Sequence, residues 1–423
     1  MPTQSTSRAD RIIARCREIA SFTAVPGETT RTFLSPPMHE VHALLRRWME
    51  AAGMTVNIDA IGNLRGLYPG LTPNAPRFLI ASHLDTVPNA GAFDGVLGVI
   101  LGLAVIEELR DQHLPFAIQV IGFSEEEGVR FNKPFLGSLG LVGKLDTETL
   151  ARTDSNGTSL TQAIRNFGLN PDELSSAVTT SDTFAYLEFH IEQGPILEDE
   201  DSQLGIVNTI VGQTRLQLTF TGQSNHAGTT PMHLRRDALA AAAEWIVETE
   251  TCANRQADLV ATVGKIEARP GAINVIPGEV TASLDLRHHN DYIRQSAVAS
   301  LLDSATAIAS KRNVNVAPQF LSQQDAVPMN AQLTHLLYIA AAQAGHSSRI
   351  MTSGAGHDAM IIAPHIPSAM LFLRTPGGLS HHPDESVLPQ DVEAALATAM
   401  EFLTLLRDSP PLHNKSTLKD AHA

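Results

Sequence analysis

Only two cysteines, Cys16 and Cys252, occur in 423 residues, far apart and outside any CxxC pattern. That scarcity excludes a disulfide framework and a thiolate zinc site, and it suits a reducing compartment. Positive charge is also short: 30 Lys and Arg face 45 Asp and Glu, a formal net charge of -15. A chain of that sign repels polyphosphate, and no Lys/Arg cluster is dense enough for a groove, so nucleic acid is not expected as a partner. No uncharged apolar run reaches the roughly 18 residues that a membrane span requires. The stretch from Met1 to Ala20 lacks the continuous apolar core of a secretion signal and repeats instead at helical spacing, as a surface helix. The expectation is a cytoplasmic protein with no membrane partner. Internal repeats and long low-complexity tracts are missing too, and only the tail after Asp408 reads as loosely ordered.

What is present is ordinary for a folded chain: 43% hydrophobic and 18% charged residues. The length exceeds what one core usually supports, so two domains are expected. Phe78–Ala81, then Gly95–Leu109, then Ala117–Phe123 read as strand, helix, strand; nearly continuous apolar strands around a helix indicate a parallel sheet buried on both faces. A different order starts near Gly212. A strand at Leu216–Phe220, a helix at Arg235–Glu250, strands at Leu259–Ile266 and Val280–Leu286, a helix at Tyr292–Ser310 and a strand near Val314–Ala317 give βαββαβ, the split ferredoxin-like arrangement. After Asp325 the α/β character returns with Leu333–Ala344, Ala369–Leu373 and the helix Asp391–Leu406. The expected fold class is therefore α/β. A mixed, mostly parallel sheet with flanking helices, built from 1–211 and 328–423, carries an inserted α+β domain at 212–327.

Polar residues gather just after the strands, where open α/β sheets place their ligands. His83 and Asp85 follow the first strand, and Asp94 lies in Gly91-Ala92-Phe93-Asp94-Gly95. Imidazole and carboxylate both ligate first-row metals, and the two oxygens of Asp94 suit it to bridge two cations. Asp85, two residues from His83 on an extended stretch, can accept the imidazole's second N–H and fix its tautomer. Glu125, Glu126 and Glu127 end the second strand, where mutual repulsion is costly unless cations offset it. One of these glutamates can bind metal while a neighbour takes a proton from water; the bland alternative is an acidic helix start. His190 in Leu187-Glu188-Phe189-His190-Ile191-Glu192-Gln193-Gly194-Pro195, and His381 beside His382 in Ser380-His381-His382-Pro383-Asp384-Glu385, add imidazoles. With 17 histidines in the chain, any single one is more often surface or satisfied core, so only the ensemble is specific.

Taken in order, these segments closely resemble the peptidase M20-like amidohydrolases, in the branch of allantoate amidohydrolases, N-carbamoyl-L-amino acid hydrolases and β-ureidopropionases. His226-Ala227-Gly228-Thr229-Thr230-Pro231-Met232, Asn274-Val275-Ile276-Pro277-Gly278 and Gly354-Ala355-Gly356-His357-Asp358 extend the match over nearly the whole chain. The resemblance implies two divalent cations per subunit, Zn or Mn, with Co and Ni also compatible with the mixed donor set. It makes His83, Asp94 and His190 ligands of one metal, Asp94, Glu127 and His381 ligands of the other, and Glu126 the general base. His382 stands where relatives usually carry Asn or Ser, which leaves the choice between His381 and His382 open. The resemblance also makes the inserted domain a lid and dimerisation domain, with the protein a homodimer. His226, Asn274 and Arg287 would then bind the substrate's carbonyl oxygen and carboxylate, and Gln193 is a further candidate for the carboxylate. His357 and Asp358 fit either support of the metal ligands or simple turn chemistry. The implied reaction is metal-dependent hydrolysis of a linear ureido C–N bond. Allantoate is favoured as substrate because Leu373 to His381 looks most like the allantoate enzymes; N-carbamoyl-L-amino acids or N-carbamoyl-β-alanine come next, then a small amide or dipeptide. A catalytically silent binding relative would betray itself by a lost ligand or base, and none is lost here.

Overall fold

The computed structural model describes residues 7–409, so the tail singled out after Asp408 lies almost wholly outside the described residues. The chain forms two compact units: one runs up to Asn208 and resumes at Pro328, and the other is Thr209–Val327. Among the described residues, no helix is long and apolar enough to cross a membrane.

The larger unit is a mixed α/β fold around a nine-stranded sheet. Its centre is four neighbouring parallel strands in the order Ala117–Phe123, Arg77–His83, Thr183–Ile191 and Ser368–Leu373. Leu64–Tyr68 and Thr55–Ile58 continue it antiparallel on one side, and Leu204–Ile210 on the other. Every residue of Ala117–Phe123 is buried, the signature of a strand covered on both faces. The helix Val96–Leu109 packs on the sheet beneath the helices Arg8–Ala20 and Pro389–Arg407. Twelve of its fourteen residues are buried, at about 1.5–3 kcal/mol for each large apolar side chain before ordering costs. Two glycines permit this seat. A Cβ at Gly98 would stand 2.2 Å from the Phe189 carbonyl oxygen, and one at Gly95, whose φ is +67°, would stand 2.5 Å from the His83 ring.

In the smaller unit, Gly212–Thr221, Ala238–Arg255, Glu279–His288, Asp291–Lys311 and Asn315–Gln324 follow the expected alternation of strand and helix. The sheet runs Ile266–Arg269, Glu279–His288, Gly212–Thr221, Asn315–Gln324, antiparallel throughout. Leu216, Leu218, Phe220, Leu284 and Leu286 alternate onto the buried face against Trp245 and Leu301 of the two helices, and Trp245 Nε1 donates to the Leu301 carbonyl at 3.0 Å. Three details differ from the sequence expectation. The single strand expected at Leu259–Ile266 is two, Val260–Thr262 and Ile266–Arg269. Thr262 pairs with Asp285 and Ile266 with Ala282, so three residues around Gly264 oppose two, a bulge closed by the Lys265 N–H on Ser283 Oγ. The helix expected from Arg235 starts at Ala238, because Asp237 caps it by accepting from Leu239 and Ala240. The last strand continues past Ala317 to Gln324; it lies at the sheet edge with most side chains in water, so its apolar periodicity is weak.

Candidate metal centre

The four central strands deliver the polar residues from their carboxyl ends. His83 is the last residue of its strand, the Glu125–Glu127 run follows Phe123, His190 is next to last in Thr183–Ile191, and His381 lies in the segment after Ser368–Leu373. His190 Nδ1 faces the carbonyl oxygen of Ile191 at 3.0 Å and His83 Nδ1 that of Asp85 at 3.1 Å. Donation to those carbonyls places the ring protons on Nδ1 and turns both Nε2 atoms inward. They stand 3.3 Å apart. His190 Nε2 is 3.2 Å and His83 Nε2 3.7 Å from Asp94 Oδ1, while Asp94 Oδ2 is 3.2 Å from His381 Nε2, itself 3.6 Å from Glu127 Oε1. Asp94 thus turns one oxygen to each of two donor groups. His83, Asp94 and His190 form one, Asp94, Glu127 and His381 another, and His83 with Glu126 and Glu127 a third, each with ligand atoms within 4.8 Å of one another. Two facing Nε2 lone pairs, and a buried Glu127 Oε1 with no hydrogen-bond partner among the described residues, are costly without a cation or proton. The donor set, imidazole and carboxylate in equal measure, fits a divalent metal.

Charge and burial set the titration of the cluster. Burial pushes the Glu126 carboxyl well above the usual carboxylate range, and burial followed by the charge of Asp94 brings Glu127 to about 7. Burial also opposes ionisation of Asp94, yet the His381, His83 and His190 imidazoles gathered around it outweigh that cost and hold Asp94 well below its ordinary value. Burial keeps His190 neutral, its pKa drawn down to about 4.

Asp85 meets His83 Nδ1 chiefly through its backbone carbonyl; its carboxylate is farther, at 3.4 Å. The carboxylate oxygens instead accept the N–H groups of Glu126 at 2.9 Å and Glu127 at 3.1 Å, so Asp85 orients the glutamate loop as well as the imidazole. His382 turns away, its Nδ1 accepting from the Asp384 N–H. Gln193, with φ +59°, points its amide nitrogen at Asp94 Oδ2 and Oδ1, 3.2 and 3.3 Å away, and donates to Ser380 Oγ at 3.0 Å. His381 also has a positive φ of +56°, and left-handed backbone at two non-glycine residues of one site is a recurrent mark of function. His357 is buried with its ring centroid 4.4 Å from that of His190 in an edge-on arrangement and its Nε2 on Ser353 Oγ, so it packs behind the ligand.

Within the smaller unit, the strand Asn225–His226 pairs with Val275–Ile276, and the Asn274 carbonyl accepts from Ala227, which brings His226 and Asn274 together. His226 Nδ1 accepts from the N–H groups of Gly228 and Thr229, both at 3.1 Å, so the neutral ring carries its proton on Nε2 as a donor. Arg287 is held by Asp285 through Nε at 2.8 Å and Nη2 at 2.9 Å, and Asp285 also receives Arg215 and Gln213. Residues that sequence reasoning left unassigned complete the larger unit's centre. Arg31, fully buried, donates to the carbonyls of Leu84, Ile19 and Phe22 and so anchors the segment bearing Asp85. Glu385, whose carboxyl burial pushes up to about 7, accepts from Phe93 and Asp94. Its only trace in the sequence is its place in the His381 run.

Imidazoles and buried carboxylates at the ends of parallel strands, in a chain interrupted by a βαββαβ unit, define a two-unit α/β protein with a candidate divalent-metal centre. The chain belongs to Peptidase family M20/M25/M40, whose description matches residues 79–405. It is 37% identical to allantoate deiminase 1 of Glycine max, covering 93% of this chain and 89% of that one. It is also 37% identical to the N-carbamoyl-L-amino acid amidohydrolase of Geobacillus stearothermophilus, covering 91% and 95%. The crystal structure of an amidase of the hydantoinase/carbamoylase family from Burkholderia multivorans superposes with a TM-score of 0.88 at 32% identity, over 96% of this chain and 98% of that one.

Proposed function

We propose that this protein is an amidohydrolase that cleaves the C–N bond of a linear ureido acid, with allantoate as substrate and ammonia and CO2 released. The observation that carries the reading is Asp94 presenting one oxygen to His83 and His190 and the other to His381, with Glu126 beside them. Two divalent cations, Zn or Mn, would be held by these residues: His83, Asp94 and His190 on one side, and Asp94, Glu127 and His381 on the other. Bound there, they supply Lewis-acid polarisation of the ureido carbonyl and make the attacking water more acidic. Glu126, with its proton affinity raised by burial, takes a proton from that water and returns it to the leaving nitrogen. Asp85 keeps the Glu126 backbone in place for both transfers. The His226 Nε2–H and the Asn274 amide are suited to donate to the oxyanion, and Arg287, oriented by Asp285, to bind the carboxylate. Gln193 is suited to the same carboxylate or to the ureido group.

We assign to the smaller unit the roles of lid and homodimer contact, and to the protein a cytoplasmic location on its two free thiols. N-carbamoyl-L-amino acid hydrolysis stands as the second reading, favoured by the equal identity to the Geobacillus enzyme. Ammonia release from allantoate, N-carbamoyl-L-amino acids and N-carbamoyl-β-alanine, each with Zn, Mn, Co and Ni, separates the two. Allantoate turned over with the highest kcat/KM supports the first reading; preference for a carbamoyl amino acid replaces it with the second.

A further inference from the structure

We propose that Glu385 is a positioning residue that locks Asp94 to the loop carrying His381 and thereby sets the affinity of the cation site that those two residues share with Glu127. The inference rests on the reading of Asp94 and His381 as metal ligands. A single carboxylate oxygen of Glu385, Oε1, accepts two consecutive backbone N–H groups, those of Phe93 at 2.9 Å and Asp94 at 3.0 Å. Two bonds to adjacent peptides fix the plane from which the Asp94 side chain leaves, and hence the separate aim of its two oxygens. Glu385 lies four residues beyond His381, and its own N–H donates to the His382 carbonyl at 3.1 Å, closing the turn behind the histidine. One side chain therefore sets the register between two loops almost 300 residues apart in the chain.

The approach is built into both loops. A Cβ at Gly91 would lie 2.3 Å from Glu385 Cβ and 2.6 Å from Oε1, so glycine leaves the space the carboxyl fills. Glu385 is 5% exposed, and its second oxygen is buried without a hydrogen-bond partner among the described residues. Such a group is costly for stability alone. Asp85 grips Glu126 and Glu127 by their N–H groups in the same manner, so each acidic ligand loop of the centre is held by a buried carboxylate.

The test measures cation content and affinity of the full-length protein, by titration with Zn and Co after chelation and by the Co absorption spectrum. Glu385→Ala is compared with Glu385→Gln, whose amide oxygen can still accept both N–H groups, and with Gly91→Ala, which crowds the carboxyl. Support of this kind is typically worth 10–100-fold in metal affinity. The expected result is that Glu385→Ala and Gly91→Ala weaken the site formed with Glu127 and His381 by about that factor, with a smaller loss at the site that Asp94 forms with His83 and His190, while Glu385→Gln recovers most of the loss. Two sites of unchanged affinity in Glu385→Ala, or equal loss in the Ala and Gln variants, would overturn the proposal. Asp94→Ala and His381→Ala run alongside: if they lose cation while Glu385→Ala does not, the positioning role alone fails. If they too keep both cations, the reading of the centre fails and the proposal with it.

Discussion

Individual buried residues in this protein carry charges and lone pairs that stability alone would not select, and not all of them belong to the candidate centre. His42, on the helix Pro37–Ala51, is 2% exposed with neither ring nitrogen hydrogen-bonded among the described residues. Burial, then the charges of His39, Arg46 and Arg31, draws its pKa down to about 3. In the unfolded chain the imidazole titrates near 6.5. Because the folded value is the lower one, the unfolded state binds more protons between the two. The stability associated with neutral His42 is then complete above about 6.5 and drains away as pH falls towards about 3. His42→Phe, which retains the edge-on contact to Phe167 without a titrating group, should be less acid-sensitive. Between pH 7 and pH 5 the wild type should lose about 2 kcal/mol relative to the variant in urea unfolding; parallel losses would show that His42 finds a proton-accepting partner when folded.

At the scale of elements, what was legible in the sequence follows how each element is buried. Phe78–Ala81, Ala117–Phe123 and Val96–Leu109 are apolar on nearly every position and bounded by glycine or charge, so length and composition reveal them. The Gly264 bulge and the edge strand beyond Ala317 are set by pairing with neighbours distant in sequence, and local pattern is mute there. In the candidate site, the segments bearing His83, Asp94, Glu125 to Glu127, His190 and the His381–His382 pair stand out because ligand chemistry restricts the residue types, whereas the choice among the glutamates and between the two histidines is implied only by the resemblance. Glu385 and Arg31 act through backbone groups, which any sequence possesses, and so leave no pattern to read. Close seating of Val96–Leu109 against the strands of His83 and His190 yields a prediction at this scale. Gly98→Ala gains up to about 1 kcal/mol of helix propensity but drives a methyl into the Phe189 carbonyl and the Ser82 side chain, an overpacking worth typically about 1–3 kcal/mol. A net loss of stability together with weaker metal binding is expected from urea titration and cation titration. A stabilised protein would mean that the helix shifts freely.

The whole molecule joins a strongly acidic surface to a reaction we assign to an anionic substrate. With a net charge of -15, attraction must be local, and the cation centre and Arg287 are the groups assigned to it. The proposed homodimer has a physical locus in the smaller unit, where Asn315–Gln324 ends the sheet path and Phe320 and Leu321 are 47% and 58% exposed, an edge that invites a second strand. Sedimentation should give a dimer in the wild type and a shift towards monomer in Leu321→Lys; a monomer at every wild-type concentration would remove the assignment. All of this depends on the centre working as a hydrolytic site with Glu126 as its base. The decisive measurement is ammonia release from allantoate by the wild type and Glu126→Gln at matched metal content. Metal-dependent turnover in the wild type, reduced about 10²–10⁴-fold in Glu126→Gln with its cations retained, is the expected result. Equal turnover by the two proteins would contradict it.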